Sequence, residues 1–334
     1  MMQISPETQL FIREHSSDDV RVLALQAKKY PDIDMPTVIT QIAGRKVAAE
    51  KIPSWWEIEK IWYPKHLSLE QCSSEITARY KARLLQGDSL TDLTGGFGID
   101  CSFLATGFKS ATYVERQEEL CEIAAHNFPV LNLNHIKIKN EDGVTYLQVM
   151  SPVDCLFLDP ARRNEHGGKT VAISDCEPNV AELEELLLQK ANRVMIKLSP
   201  MLDLSLALKE LKQTQEVHIL SVNNECKELL ILLGQTSPAE ISIHCVNLFT
   251  KGTQKEQHFV FTREQEQCSE CTYTDSLETY LYEPNASLLK AGAFRSIAAA
   301  YPVRKLHPNS HLYTSDTFIE NFPGRIFRIV NQCS

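Results

Sequence analysis

Leu90-Thr91-Asp92-Leu93-Thr94-Gly95-Gly96-Phe97-Gly98-Ile99-Asp100 reads as the end of a strand, a glycine turn and the start of a helix. Residues 89–93 predict a short strand, and 98–106 predict the helix that follows it. Glycine lets the backbone come close to a ligand, and a helix N-terminus offers unpaired N–H groups to it. A Gly-rich loop that binds nothing is the alternative for this stretch taken alone.

Downstream the pattern alternates. Strands are expected at 110–115, 135–139, 154–158 and 193–198, with helices at 117–127, 143–149, 178–190 and 203–212 between or after them. Such alternation implies an α/β fold with a parallel sheet covered by helices on both faces. The apolar runs 216–222 and 226–233 are joined by Asn223-Asn224-Glu225, which predicts a hairpin, so the sheet ends in an antiparallel pair. Two more strands, 240–248 and 257–262, follow, and 263–276 reads as a polar linker. The last part reads as a small α+β unit, with a strand at 279–282, a helix at 285–300 and extended segments near 311–314 and 325–330. Upstream, residues 5–86 look helical, punctuated by Pro31 and Pro36, with a further helix from Ser68 to Gly87. The expected domains are therefore 1–87, 88–264 and 277–334.

With 334 residues and 43% apolar content the chain can bury two or three cores. No apolar run is long enough for a membrane span, so a soluble, cytoplasmic protein is expected. Ten scattered cysteines suit reduced core thiols. Only Cys268-Ser-Glu-Cys271 has ligand-like spacing, and without a second pair no metal is expected. Trp55, Trp56 and Trp62 are expected to glue the helical region to its neighbour, with base stacking as the alternative. The net charge of −9 argues against a dedicated nucleic-acid binder. Residues 284–334, however, carry Lys290, Arg295, Arg304, Lys305, Arg325 and Arg328 against Asp316 and Glu320, a local +4.

On this alternation the carboxylates fall at successive strand ends: Asp92, Glu115, Asp142 and Asp159. Open α/β sheets bind ligands there. A nicotinamide site wants a third glycine where Cys101 stands, and its pyrophosphate would be repelled by Asp92 and Asp100. S-adenosylmethionine is cationic at its sulfonium and ammonium, so the same carboxylates attract it. Glu115 can accept from its ribose hydroxyls and Asp142 from its adenine amine.

The stretches D-L-T-G-G-F-G-I-D, Y-V-E, E-D-G and L-D-P resemble the motifs of class I S-adenosylmethionine-dependent methyltransferases. Glu70–Ala82, Phe157–Arg163, Ile196–Pro200, Val222–Leu229 and Tyr282–Phe294 further resemble bacterial methyltransferases that carry a ferredoxin-like unit before a THUMP-like module. The resemblance implies a Rossmann-like sheet and methyl transfer, with RNA (rRNA or tRNA) as the partner. It places Asp92, Thr94, Gly95, Gly96, Gly98, Asp100, Glu115, Arg116, Asp142 and Gly143 around the cofactor, with Ser74 and Thr77 on a preceding helix. Asp159 and Pro160 would hold an exocyclic base amine, guanine N2 or adenine N6. Where related enzymes have a stacking aromatic this chain has Arg162, so Arg162, Phe97 or Tyr80 would stack, or the acceptor is not a base. Arg162, Arg163, His166 and Lys169 would contact phosphate, or form a solvated loop. Lys197 would act in catalysis, or pair with a strand-end carboxylate. The strand 325–330 would open the THUMP-like module, which then looks cut short. The alternatives are a methyltransferase acting on a protein or small molecule, and a non-catalytic RNA-binding protein.

Overall fold

The computed structural model describes residues 4–162, 172–236 and 238–331. The chain divides into two units, Met1–Leu158 and Asp159–Ser334.

Among the described residues, unit one begins with six α-helices, Pro6–Glu14, Val20–Leu25, Met35–Lys51, Pro53–Trp56, His66–Gln71 and Glu75–Ala82, and a 3-10 turn at Ala27–Lys29. Their starts are written in the sequence. Ser5, Asp19 and Asp34 each accept a backbone N–H of the first turn, and proline opens the first, third and fourth helices. Phe11, Leu23, Met35, Val38 and Ile42 pack into one small core. A second core joins Ala48, Ile52, Trp55, Ile61, Tyr63 and Leu69 to Phe97, Ile99 and Ile123. The tryptophans divide the work. Trp55 meets Phe97 edge-on at 5.2 Å, and Trp62 stacks on His126 at 3.7 Å. Trp56 is exposed beneath Arg45.

The helix expected from Ser68 to Gly87 is two helices, broken at Cys72–Ser74. Ser73 is the reason. Its buried hydroxyl is committed to partners described below, and the serine pair favours a new helix start over continuation.

Four strands follow: β1 (Ser89–Asp92), β2 (Ser110–Glu115), β3 (Ile136–Asn140) and β4 (Val153–Leu158). They lie in the order β4-β1-β2-β3, all parallel, with Leu90 in register with Ala111 on one side and Cys155 on the other. Helices Ile99–Ala105, Glu118–Val130 and Gly143–Val149 make the connections. Because the strands are parallel, every strand's C-terminal end lies at one edge.

Unit two opens with two short strands, β5 (Ala161–Arg162) and β6 (Cys176–Glu177), paired antiparallel. Then come β7 (Ala191–Leu198), β8 (Thr214–Val222), β9 (Glu225–Gly234), β10 (Ser242–Leu248) and β11 (Glu256–Thr262). Their order is β11-β10-β8-β9-β7: β9 is antiparallel to both neighbours, β10 is parallel to β8, and β11 closes antiparallel on β10. The Asn223-Asn224 hairpin is as expected. Both residues have positive φ, 50° and 67°, which asparagine tolerates better than most residues.

Part of the expected linker is a helix, Arg263–Cys268, started by a capping box between Thr262 and Gln265. Beyond it, β12 (Tyr280–Pro284), β13 (Arg304–Lys305), β14 (Tyr313–Ser315) and β15 (Gly324–Arg328) form a small antiparallel sheet in the order β13-β14-β12-β15. The expected helix 285–300 is two, Ala286–Ala291 and Phe294–Ala300, because Gly292 turns left-handed between them at φ +75°. The strand near 325–330, expected to open a further module, is hydrogen-bonded to β12 as β15. The fold is thus mixed α/β, with a large, mostly parallel sheet and a separate small antiparallel one. No described helix is long and apolar enough to cross a membrane.

Candidate functional site

In unit one the glycine loop is held from beneath by β2. The Tyr113 hydroxyl donates to the Gly96 carbonyl at 2.5 Å, and the Gly96 N–H donates to Glu115 Oε2 at 2.9 Å. Burial, then the nearby Glu115 charge, pushes the Tyr113 phenol well up, so it stays protonated and keeps donating. The glycines have separate reasons. A Cβ on Gly95 would lie 2.2 Å from the Tyr113 ring. Gly96 and Gly98 have φ of +54° and +88°, and a Cβ on Gly96 would meet nothing closer than 3.8 Å. The backbone at Gly96 therefore faces open space, as a cradle for a ligand requires.

The carboxylates gather round this loop. Asp92, fully buried, accepts from the Thr94 N–H at 3.0 Å. Glu115 Oε1 accepts from Gln117 N at 2.8 Å, and Asn140 clamps the turn by donating to the carbonyls of Glu115 and Arg116. Asp142 caps the helix Gly143–Val149, with Oδ1 accepting from Val144 and Thr145 N–H at 3.0 Å each. A Cβ on Gly143 would stand 2.1 Å from the Leu93 carbonyl oxygen, so that glycine is what lets the Asp142 turn lie against the end of β1.

Asp100 has protein partners. Ser73 donates to its Oδ2 at 2.7 Å, and Lys81 reaches Oδ1 at 2.8 Å and the Ser73 hydroxyl at 2.8 Å. Lys81 is completely buried. This triad fastens the helix Glu75–Ala82 to the helix after the glycine loop. Ser74 and Thr77 bond to each other at 3.2 Å. Glu75 receives the Ser54 N–H and pairs with Arg79. The candidate stacking rings are placed elsewhere: Phe97 is buried against Trp55, and Tyr80 is buried beneath Arg83.

In unit two, Asp159 follows the last residue of β4, and Lys197 near the end of β7 makes an ion pair with its Oδ2. Lys197 thus stands paired with a strand-end carboxylate. Pro160 precedes β5, to which Arg162 contributes its backbone. Arg163, His166 and Lys169 lie outside the described residues. Cys268 and Cys271 join no metal-capable group among the described residues. Sequence reasoning missed Tyr113 and Lys81, and read Ser73 only as part of the stretch 73–77, touching the methionine moiety or capping a docking helix. The trace of them is a lysine on the helix Glu75–Ala82 and a tyrosine two residues before the strand-end glutamate.

Residues 280–323 match a family model described as a ferredoxin-like domain. The whole chain is similar to a crystallised methyltransferase-family protein from Porphyromonas gingivalis W83, at 34% identity and a TM-score of 0.86, covering 99% of this chain and 84% of that one. Two further structures match only in part. A modification-subunit protein of type I restriction type from Vibrio vulnificus YJ016 shows 12% identity, covers 60% of this chain and 56% of its own, and has a TM-score of 0.41. A methyltransferase-class protein from Streptococcus mutans, in complex with SAH, shows 14% identity, 48% and 96% coverage, and a TM-score of 0.34. Neither carries weight at that likeness. No protein of curated function matches the chain.

Proposed function

The chain belongs to the methyltransferase family of the Porphyromonas gingivalis protein, and we propose that it uses S-adenosylmethionine to methylate an exocyclic base amine, guanine N2 or adenine N6, in RNA. The observation that carries this reading is the braced glycine loop with Asp92, Glu115 and Asp142 around it. A cationic ligand is favoured by those three carboxylates, and a pyrophosphate is not. When bound, S-adenosylmethionine supplies an electrophilic methyl group. Asp142 keeps Oδ1 on backbone donors, which fixes the direction of Oδ2 for adenine. Both Glu115 oxygens accept backbone N–H groups, which holds the carboxylate in place with lone pairs left for the ribose hydroxyls.

Asp159 is the acceptor-side residue of this proposal. An exocyclic amine is a poor nucleophile because its lone pair is delocalised into the ring. A carboxylate and a carbonyl that accept its two N–H bonds favour a pyramidal nitrogen with an available lone pair. Asp159 and the Pro160 carbonyl supply these, and Lys197 orients the carboxylate through Oδ2. Arg162, Arg163 and Lys169 would contact phosphate, aided by the +4 segment 284–334. The domain limits 1–87, 88–264 and 277–334, and membership of the group with a THUMP-like module, belong to the same proposal.

Incubation of the chain with labelled S-adenosylmethionine and RNA, followed by nucleoside mass spectrometry, tests it. The expected product is a methylated guanosine or adenosine, with Asp159→Asn lowering kcat by about a hundredfold or more. No methylated nucleoside, or an undiminished rate in Asp159→Asn, overturns the RNA-amine reading. Label appearing in protein instead would move the acceptor to another class.

A further inference from the structure

Among the described residues, one group of metal-capable side chains draws its ligand atoms together, on the strands β8 and β10 of unit two. Glu216, His218 and His244 each offer one atom, all within 4.8 Å of one another. Register explains the convergence. Glu216 and His218 are two residues apart on β8, hence on one face, and His244 on β10 is paired directly with His218. His258 on β11 is two residues from Val260, the partner of His244, so it shares that face.

We propose that Glu216, His218, His244 and His258 form a binding site for one divalent transition-metal ion, zinc by the chemistry of its donors. Two imidazoles and a carboxylate are a zinc donor set that leaves a fourth position open, and His258, 3.1 Å from His244, stands beside it. Tetrahedral zinc with bonds of about 2.0–2.1 Å sets neighbouring ligand atoms roughly 3.3 Å apart. Glu216 Oε2 lies 3.2 Å from His218 Nε2, and His244 Nδ1 lies 3.1 Å from His258 Nε2. Arg193 Nη2 donates to the other Glu216 oxygen, Oε1, at 2.9 Å, and so turns Oε2 towards the histidines, as an outer partner of a ligating carboxylate does.

The His218 and His244 rings are stacked at 4.2 Å with a 15° tilt, and parallel rings cannot both point a lone pair at one ion. Binding therefore requires one ring to rotate, and the partly exposed His244 is the one that turns, since His218 is buried. With His258 drawn in beside His244 as the fourth ligand the site closes, and its effect is to tie the adjacent strands β8, β10 and β11 together.

The test is calorimetric titration of chelator-stripped protein with Zn²⁺, with Co²⁺ absorption to report geometry. One Zn²⁺ per chain and tetrahedral Co²⁺ bands without thiolate charge transfer are expected. Affinity should fall by about a hundredfold in His244→Gln and about tenfold in Arg193→Gln, while Cys268→Ser with Cys271→Ser leaves it unchanged. His258→Ala, at an exposed position, guards against loss through misfolding and should also weaken binding. No zinc bound by the parent protein, affinity unchanged in His244→Gln and His258→Ala, or loss only in the cysteine variant overturns the site.

Discussion

Asp92, Glu115 and Asp142 stand at the ends of strands in unit one, whereas Glu216, His218 and His244 stand along β8 and β10 in unit two. At a strand end the backbone has left the ladder, so its N–H groups are available to ligands and to side chains alike. The Gly96 and Gln117 N–H groups both go to Glu115. Within a ladder the backbone is spent on neighbouring strands, and only side chains project. The first arrangement suits an extended ligand read by backbone and carboxylates together. The second suits something compact, such as an ion.

The comparison is broken most readily at Lys81. If unit one depends on buried charge to hold the helices around its loop, Lys81→Met should cost about 3–5 kcal/mol, because Asp100 would be left buried beside a neutral chain. Lys81→Met combined with Asp100→Leu should cost less than Lys81→Met alone. Chemical denaturation measures both, and equal losses would mean the pair is incidental. Gly143→Ala comes next, at about 1–3 kcal/mol, since the new Cβ meets backbone at Leu93 rather than a movable side chain. It should also weaken cofactor binding, by displacing the Asp142 turn.

In unit two the corresponding polar anchor is Asn285. It caps the helix Ala286–Ala291 by accepting from Ser287 and Leu288 N–H. Asn285→Ala should cost about 1–2 kcal/mol by the same measurement and leave cofactor binding intact. A loss of cofactor binding there would erase the distinction between the regions.

The smallest effect is one of pH. Asp154 accepts from Asp88 N, Ser89 Oγ and Ser89 N, which holds its carboxyl below the usual 3.8. A depressed folded value means the stabilisation is present above about 3.8 and is lost as pH falls through the lower folded value. Acid unfolding of Asp154→Asn should therefore show a shallower slope below about pH 4. An unchanged slope would show that these hydrogen bonds contribute nothing to the start of β1.

The strands and turns of unit one were legible because each signal is local: glycines with a reason to be glycine, capping residues before helices, apolar runs between them. The Asn223-Asn224 hairpin was legible for the same reason. What stayed hidden depends on distant partners. Ser73 breaks a helix because Asp100, twenty-seven positions on, and Lys81 claim its hydroxyl. Gly292 splits a helix that its alanine-rich surroundings would continue. Two of the carboxylates expected around the cofactor hold different partners. Glu115 braces the loop, while Asp100 is paired inside the protein. His218 and His244 are twenty-six positions apart in sequence and adjacent only through β8–β10 register. Even so, Glu216-x-His218 on a strand already puts a carboxylate and an imidazole on one face.

The account turns on the glycine loop as a seat for S-adenosylmethionine. Calorimetric titration of the chain with S-adenosylmethionine and with its demethylated product tests that most directly. One site per chain is predicted, weakened by about a hundredfold or more when Glu115→Ala and Asp142→Ala are combined, since each removes a charged hydrogen-bond acceptor. No binding by the parent chain, or affinity unchanged in the double variant, would contradict it.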